Sequence, residues 1–212
     1  MSDLILVIGN KRYSSWSLRP WLAMKLAGLA FEEALVPLRQ PDTRQRILQY
    51  SPSGKVPFLK HGPVQVWDSL AICEYIAEMP QSRLWPDDRA ARAQARAVSA
   101  EMHAGFVELR RVMPMDLCAS TPMAEVPPAV QADIDRITAL WNDCRGRFGN
   151  GGPFLFGRFS IADAMYAPVA TRFTTYGVAL DAVSKAYVEA IWSLPAMKDW
   201  KEAADREPAV VF

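Results

Sequence analysis

The sequence predicts an α/β domain over residues 1–80 followed by an all-helical domain over residues 89–212. Up to about residue 80, short apolar runs alternate with helical patterns in the order β-α-β-α-β-β-α. A linker with prolines and charges follows at 81–88, and the chain beyond it is alanine-rich without a strand signal. A length of 212 residues suits two small domains packed together.

The first strand and the first helix are joined by a serine-rich stretch. Leu4 to Ile8 is a continuous apolar run, typical of a strand buried on both faces. A helix is expected to begin near Ser17, since Pro20 is tolerated only close to a helix N-terminus. Ser14 and Ser15 precede it, where unpaired N–H groups and the helix dipole favour an anion. The alternative is that one of these serines is simply the N-cap.

The remaining elements of the first domain follow from short apolar runs and turn residues. A second strand is predicted from Phe31 to Leu38, parallel to the first, and a short polar helix from Pro41 to Tyr50. Two runs, Val56–Lys60 and Val64–Trp67, are separated by only three residues and predict an antiparallel hairpin. Asp68-Ser69 then precedes an amphipathic helix that either residue could cap.

The second domain is predicted to contain helices only. They are expected at 89–109, 130–148, 161–176, 184–192 and 195–205. Ser160 and Asp163 stand three residues apart ahead of an apolar run, which is the pattern of a capping box. We therefore assign this pair a structural role, in preference to the alternative of Asp163 as a catalytic acid.

Composition and charge narrow the possible partners. The net charge of +1 and the lack of a polybasic run argue against nucleic acid or anionic lipid as a partner. No apolar stretch approaches the roughly 20 residues that span a bilayer. The start, Met1-Ser2-Asp3, carries an acid where a signal peptide would be positively charged. We expect a cytoplasmic protein without a membrane partner.

The cysteines and histidines do not suggest a metal or redox centre. Cys73, Cys118 and Cys144 are widely separated, and His61 and His103 are the only histidines. Neither a Cys-x-x-Cys pair nor a Cys/His cluster exists, which argues against a bound metal and a dithiol centre. Cys73 and Cys144 fall on apolar helical faces and are expected to be small buried side chains.

Two further pairs suggest a site for an amino acid or peptide. Asp68-Ser69 offers a carboxylate, a hydroxyl and helix N-terminal amides, which can hold both charges of an α-amino acid. A trans Pro57 would fit an edge strand, whereas a cis Val56-Pro57 bond would leave the backbone of Val56 free to pair with an extended peptide. The residues alone leave both alternatives open.

With these features, the chain resembles the cytosolic glutathione transferase superfamily across nearly its whole length. The segments that carry the resemblance are Tyr13-Ser14-Ser15-Trp16-Ser17, Ser53-Gly54-Lys55-Val56-Pro57, Trp67-Asp68-Ser69-Leu70-Ala71-Ile72 and Phe159-Ser160-Ile161-Ala162-Asp163. The resemblance implies a thioredoxin-like N-terminal domain, an all-α C-terminal domain, glutathione bound between them and a homodimer. The Ser-Ser-x-Ser start is most similar to the zeta, or maleylacetoacetate isomerase, class. That class has Cys at the position of Trp16 and more often Gln or Glu at that of Asp68.

The resemblance also implies roles for individual residues. Ser14 or Ser15 would donate a hydrogen bond to the glutathione sulfur and favour its thiolate. The glutathione-binding residues would be Ser17, Lys55, Val56, Pro57, Asp68 and Ser69, with Val56 on the cysteinyl portion, Asp68 and Ser69 on the γ-glutamyl end and Lys55 on the glycine carboxylate. A small hydrophobic electrophile would lie against Met102, His103, Phe106 and Met113. No metal is expected.

Several functions fit this resemblance. A glutathione transferase is the first, and a zeta-like cis-trans isomerase or a non-catalytic glutathione-binding protein are its alternatives. A dithiol oxidoreductase would need a cysteine among the serines at 14–17, where none stands. A serine hydrolase is disfavoured because the chain lacks a Gly-x-Ser-x-Gly elbow.

Overall fold

The computed structural model describes residues 3–80 and 82–209. The predictions made for Met1, Ser2, the linker residue Gln81 and the end of the second domain at 210–212 lie outside the described residues. Within the described ranges, every helix is too short or too polar to cross a membrane.

The first part of the chain forms the predicted α/β layer. Its elements are β1 (Leu4–Ile8), α1 (Ser15–Leu26), β2 (Glu32–Leu35), α2 (Thr43–Leu48), β3 (Phe58–His61), β4 (Val64–Trp67) and α3 (Ser69–Ala77). The sheet order is β2-β1-β3-β4, with β2 parallel to β1 and the other neighbours antiparallel. The predicted β-α-β-α-β-β-α order is confirmed.

The second part is helical, as predicted. Its elements are α4 (Arg89–Ala104), α5 (Val107–Val112), α6 (Pro128–Phe148), α7 (Ile161–Thr175), α8 (Ala182–Ser193) and α9 (Pro195–Asp205). The single helix expected over 89–109 is instead two helices, because the chain turns at Gly105 and Phe106. Phe106 adopts φ +55°, a left-handed conformation that ends α4 and starts α5 in a new direction.

Helix α1 joins the two parts of the fold. It packs against α3 in the first part and against α7 and α9 in the second, and its Leu18 and Leu22 are fully buried. The rings of Trp21 in α1 and Trp200 in α9 meet edge to face at 4.8 Å. The N-terminus of α1 therefore lies at the junction between the sheet and the helical part. The domain bounds predicted from the sequence stay a prediction.

The start of α7 is held by a buried acid. Asp163 is fully buried and accepts hydrogen bonds from the Ser160 amide at 2.8 Å, the Ser160 hydroxyl at 2.9 Å and the Leu155 amide at 3.0 Å. Burial raises the pKa of Asp163 to about 6, although the hydrogen bonds favour its charged form. This arrangement is a capping box that also anchors the preceding loop.

Candidate functional site

A cleft of about 640 Å³ lies between the sheet edge and α4. We call it the first cleft. It is lined by Trp16, Ser53, Lys55, Val56, Pro57, Trp67, Asp68, Ser69 and His103. Two segments that are apart in the sequence, 53–57 and 67–69, thus form one surface, and His103 of α4 faces them. Its volume lies within the range of about 300–1,000 Å³ usual for small-molecule sites.

Val56 and Pro57 shape one wall of the first cleft. The peptide bond between them is cis, and the pair immediately precedes β3. Lys55 is exposed at the rim, and its amide donates to the Ser53 hydroxyl at 3.2 Å. Because β3 pairs with β1 and β4, this wall is attached to the sheet.

Asp68 and Ser69 form the facing wall at the N-terminus of α3. One oxygen of Asp68, Oδ1, accepts from the amides of Leu70 at 2.9 Å and Ala71 at 3.2 Å, which caps the helix. Ser69 is 1% exposed, and its buried hydroxyl has no hydrogen-bond partner among the described residues. A buried hydroxyl without a partner beside a cleft is a ready contact for a polar ligand group.

The three serines near α1 occupy different positions. Ser14 is the N-cap, and its hydroxyl accepts from the Ser17 amide at 3.3 Å and donates to the Ser17 hydroxyl at 2.7 Å. Ser17 is fully buried and also accepts from the Gly9 amide at 3.0 Å. Ser17 lines neither cleft, and its role is to hold the Ser14 side chain in place through these hydrogen bonds. Ser15 begins the helix and lines a second cleft.

The second cleft has a volume of about 440 Å³ and lies on the other side of Trp16. It is lined by Tyr13, Ser15, Trp16, Arg39, Val107, Arg110, Arg111, Pro114, Met115 and Arg172. Four of these are arginines, and none of the described lining residues is an acid. Trp16 lines both clefts, so its indole is a wall that they share.

Arg172 and Arg110 contribute positive charge to the second cleft, and both guanidinium groups are at least partly buried. Arg172 is 3% exposed, and its Nε donates to the carbonyl of Met113 at 2.8 Å. Burial and the charge of Arg110 lower the pKa of Arg172 to about 10. Burial also lowers the pKa of Arg110, although the charge of Asp133 opposes this. Two guanidinium groups are thus held near each other.

A third arginine lies beneath Trp16. Arg19 is fully buried, and none of its three side-chain nitrogens has a hydrogen-bond partner among the described residues. Its guanidinium carbon is 4.2 Å from the centroid of the Trp16 ring, a close cation–π contact. Burial, together with the charges of Arg172 and Arg110, lowers the pKa of Arg19 to about 9. The three cations therefore repel one another within one region.

The residues predicted to contact an electrophile do not form one surface. Met102 and Met113 are fully buried and belong to the core, and Phe106 is 8% exposed and lines neither cleft. Methionine and aromatic residues at helical spacing fill the interior here, as they usually do. His103 lines the first cleft, and its ring meets that of Trp16 edge to face at 5.5 Å.

Several residues of the two clefts were not predicted from the sequence. They are Trp16, Ser53 and Trp67 in the first cleft, and the arginines of the second. Arg172 carried a signal that could have been used, since it is a charge within an apolar helix. A charge in such a position is buried only when a partner or a function requires it.

The described part of the chain contains no group of three or more histidines, cysteines, aspartates and glutamates able to hold a metal ion. Cys73 and Cys144 are buried, and burial raises the pKa of the Cys144 thiol to about 12. Neither thiol has the low pKa of a reactive cysteine.

Comparison with known proteins gives family matches in both parts of the chain. The family "Glutathione S-transferase, N-terminal domain" matches residues 13–79, and "Glutathione S-transferase, C-terminal domain" matches residues 125–206. A probable maleylacetoacetate isomerase of Caenorhabditis elegans is 34% identical over 106 residues, which are 49% of each chain. A glutathione S-transferase 1 of Dianthus caryophyllus is 39% identical over 82 residues, which are 38% of this chain and 37% of that one. The chain thus matches about half or less of the length of these two relatives.

Solved structures share the fold over nearly the whole chain. A bacterial maleyl pyruvate isomerase, described as a zeta-class glutathione S-transferase, has a TM-score of 0.74 and 22% identity, with 97% of this chain and 100% of that chain covered. A glutathione transferase homologue from Burkholderia with bound glutathione has a TM-score of 0.72 and 24% identity, with 96% and 99% covered. From both family matches and this fold, we conclude that the chain belongs to the glutathione S-transferase superfamily.

Proposed function

We propose that this protein is a glutathione transferase that binds glutathione in the first cleft and stabilises its thiolate at the N-terminus of α1. The observation that carries the proposal is the buried hydroxyl of Ser69, which has no partner in the described part of the chain and lies beside the carboxylate of Asp68, opposite Val56 and cis-Pro57. This arrangement offers separate contacts for an ammonium, a carboxylate and an extended backbone.

The residues of the first cleft match the parts of glutathione in order. Asp68 would hold the γ-glutamyl ammonium, and the Ser69 hydroxyl would donate a hydrogen bond to the α-carboxylate. The backbone of Val56 would pair with the cysteinyl portion as an added strand. Lys55, exposed at the rim, would meet the glycine carboxylate. Bound in this way, the tripeptide would direct its sulfur toward α1.

The geometry favours Ser15 over Ser14 as the direct partner of the sulfur. The hydroxyl of Ser14 is directed inward to Ser17, whereas Ser15 lines the second cleft next to Trp16. Hydroxyl hydrogens rotate, so Ser14 could still turn outward. Lowering a thiol pKa from about 8.5 to about 6.5 requires about 2.7 kcal/mol, which one charge-assisted hydrogen bond and a helix N-terminus can supply.

The proposal is tested by titrating bound glutathione and by assaying turnover. Thiolate absorbance of the complex should give a thiol pKa well below that of free glutathione. A panel of one aryl halide, one peroxide and one cis-unsaturated acid should yield turnover of at least one substrate. A protein that binds glutathione yet turns over none of the three would be a binding protein on the same fold, and the proposal would fail.

A second candidate function is glutathione-dependent cis-trans isomerisation. It is favoured by the 34% identity to a probable maleylacetoacetate isomerase and by the Ser-Ser-x-Ser start. In isomerisation the thiolate adds to a double bond and leaves again, so glutathione is regenerated. The panel separates the two functions, since an isomerase converts the cis acid without consuming glutathione.

We also propose a homodimer. Exposed apolar side chains on the α/β part of the chain support it, among them Leu48 (47% exposed), Tyr50 (45%) and Val64 (40%). Sedimentation equilibrium should give twice the chain mass of 23.7 kDa. A mass of one chain across the micromolar range would refute the dimer.

A further inference from the structure

The loop that leads from β1 to α1 is held by an acid from the far end of the sequence. We call residues 9–14 the β1–α1 loop. The amide of Lys11 donates to Oε1 of Glu207 at 2.8 Å, and the amide of Arg12 donates to Oε2 of the same carboxylate at 3.2 Å. Glu207 is half-buried, lies just beyond the end of α9 and is 196 positions away from Lys11. One side chain of the helical part thus binds two consecutive amides of the loop.

The carbonyl groups of the same two residues are also bonded to the helical part. Nε1 of Trp200, in α9, donates to the Lys11 carbonyl at 2.8 Å, and the amide of Leu117 donates to the Arg12 carbonyl at 3.2 Å. Because none of these partners belongs to the loop, its position depends on tertiary contacts. Glu207 provides two of the four hydrogen bonds, and a charged acceptor makes them the stronger kind.

The β1–α1 loop transmits this constraint to the serines at the start of α1. The amides of Tyr13 and Ser14 both donate to the Asn10 carbonyl, at 3.2 Å and 2.8 Å, so the chain from 10 to 14 forms one closed turn. Ser14 is the N-cap of α1, and Ser15 is its first residue. A shift of the two residues that Glu207 holds would therefore also move both serine hydroxyls and the first amides of the helix.

Accurate placement matters for the contact that the serines are proposed to make. A hydrogen bond weakens steeply as its angle and distance depart from the optimum. Loops are also more mobile than the helices and strands that they connect. A hydroxyl that stabilises a thiolate therefore needs a loop that other residues hold in place.

We propose that Glu207 is a positioning residue for the glutathione thiolate, because it fixes the β1–α1 loop and with it the serine hydroxyls. The inference rests on the proposed function and adds to that site a residue of the helical part. Glu207 lines neither cleft, so it acts through the loop and does not touch glutathione.

The charge of Glu207 makes the proposal testable by the sign of an effect. A nearby carboxylate disfavours a thiolate, so its charge alone would raise the pKa of the bound thiol. Removing Glu207 would then lower that pKa. If Glu207 acts by positioning the serines, its removal should raise the pKa instead. The two explanations predict opposite shifts.

The test measures the thiol pKa of bound glutathione by thiolate absorbance, with the full chain saturated at each pH. Glu207→Ala should raise this pKa by about 0.5 or more, which is about a threefold loss of thiolate at a fixed pH below the pKa. Glu207→Gln keeps one acceptor oxygen and should give a smaller rise, and it replaces the alanine variant if that variant does not fold. S-methylglutathione has no thiol, and its Kd by isothermal titration calorimetry should change by about twofold or less.

Asp181→Ala is the matched control. Asp181 also accepts hydrogen bonds from two consecutive amides, those of Val183 at 2.9 Å and Ser184 at 3.0 Å. It caps α8 and lines neither cleft. The variant thus loses the same kind of contact elsewhere in the helical part. Its bound glutathione should keep the thiol pKa of the wild-type complex, while urea unfolding reports the stability of every variant.

The outcomes separate this inference from the proposed function. A wild-type complex with the thiol pKa of free glutathione would refute the proposed function and the inference together. A lowered wild-type pKa that Glu207→Ala leaves unchanged, or lowers further, would overturn the inference alone. An equal rise in Asp181→Ala would also overturn it, because the effect would then follow from general loss of stability.

Discussion

Nε2 of His103 lies 3.1 Å from Oδ2 of Asp68, and this contact connects α4 to the N-terminus of α3 across the first cleft. The other oxygen of the same carboxylate caps α3. Asp68 adopts φ +77°, a conformation that side-chain-bearing residues seldom take. Asp68, which is proposed to bind the ammonium group of glutathione, is thus oriented by the amides of α3 and by His103 of α4.

Replacing Asp68 by Asn should weaken glutathione binding about tenfold or more, because the ammonium would lose its charged partner. Asn is a good N-cap and tolerates a positive φ, so the fold should persist. His103→Gln should have a smaller effect, about two- to fivefold, since the contact between His103 and Asp68 is partly exposed. Calorimetric titration with glutathione measures both, and an unchanged Kd for Asp68→Asn would contradict the assigned role.

Ser69→Ala should separate binding from stability. Because the Ser69 hydroxyl is buried and none of the described residues pairs with it, its removal should change the free energy of unfolding by no more than about 0.5 kcal/mol. Glutathione affinity should fall about tenfold. Ser99→Ala is a control in a buried serine of α4, whose hydroxyl donates to the Ala95 carbonyl at 2.7 Å. That control should bind glutathione normally; a full-affinity Ser69→Ala would argue against a ligand contact.

Ser15→Ala should affect the bound glutathione, whereas Ser14→Ala should affect the stability of the fold. Ser15→Ala should raise the pKa of the bound glutathione thiol, measured by thiolate absorbance, with little loss of stability. Ser14→Ala removes the N-cap of α1 and should cost about 1 kcal/mol of unfolding free energy in urea titration. If Ser14→Ala alone raises the thiol pKa, then Ser14 is the sulfur's partner. If neither does, the serine mechanism is wrong.

Arg19→Met should stabilise the protein while weakening thiolate formation. The buried guanidinium of Arg19, which makes no hydrogen bond within residues 3–80 and 82–209, is replaced by an apolar side chain of similar length. We therefore expect a gain of about 1–3 kcal/mol in unfolding free energy near neutral pH. The pKa of bound glutathione should rise by about 1, since a nearby cation is removed. Arg147→Met is the surface control for both measurements. A destabilised Arg19→Met variant would mean that the Trp16 contact outweighs the burial cost.

Asp163→Asn should change the dependence of stability on pH. Burial raises the pKa of Asp163 from 3.8 to about 6. A raised pKa in the folded state gives stability that is fully present below about pH 4 and is lost as the pH rises through about 6. This rise in pKa corresponds to a decrease of about 3 kcal/mol in the free energy of unfolding between pH values below about 4 and pH values above about 6. The penalty of Asp163→Asn in urea unfolding should therefore be larger at pH 4.5 than at pH 7, and an equal penalty would show that the carboxyl does not titrate in this range.

Most of the secondary structure could be predicted because each helix or strand signal lies within one short stretch of sequence. The apolar run at Leu4–Ile8, the hairpin at Val64–Trp67 and the capping box at Ser160 depend on residues close together in the chain. The exception was Phe106, where a left-handed residue breaks a continuous helical pattern. Backbone conformation at such a position depends on tertiary packing, which periodicity does not record.

The clefts were harder to predict because their walls come from distant segments. The segments around Pro57 and Asp68 were predicted, since each contains two adjacent residues, Val56-Pro57 and Asp68-Ser69, whose types alone suggest ligand contacts. The arginine-lined cleft was missed, because Arg110 and Arg172 are separated by 62 positions and meet only when α5 packs near α7. Their shared environment depends on tertiary structure, and so does the burial of Arg19.

The position of Trp16 as a common wall has a thermodynamic consequence. Any ligand that displaces this indole from one side alters the shape available on the other side. Linkage then requires reciprocity: the factor by which glutathione changes the affinity for a second ligand equals the factor by which that ligand changes the affinity for glutathione. A single side chain can thus make the order of substrate binding and the release of product depend on each other.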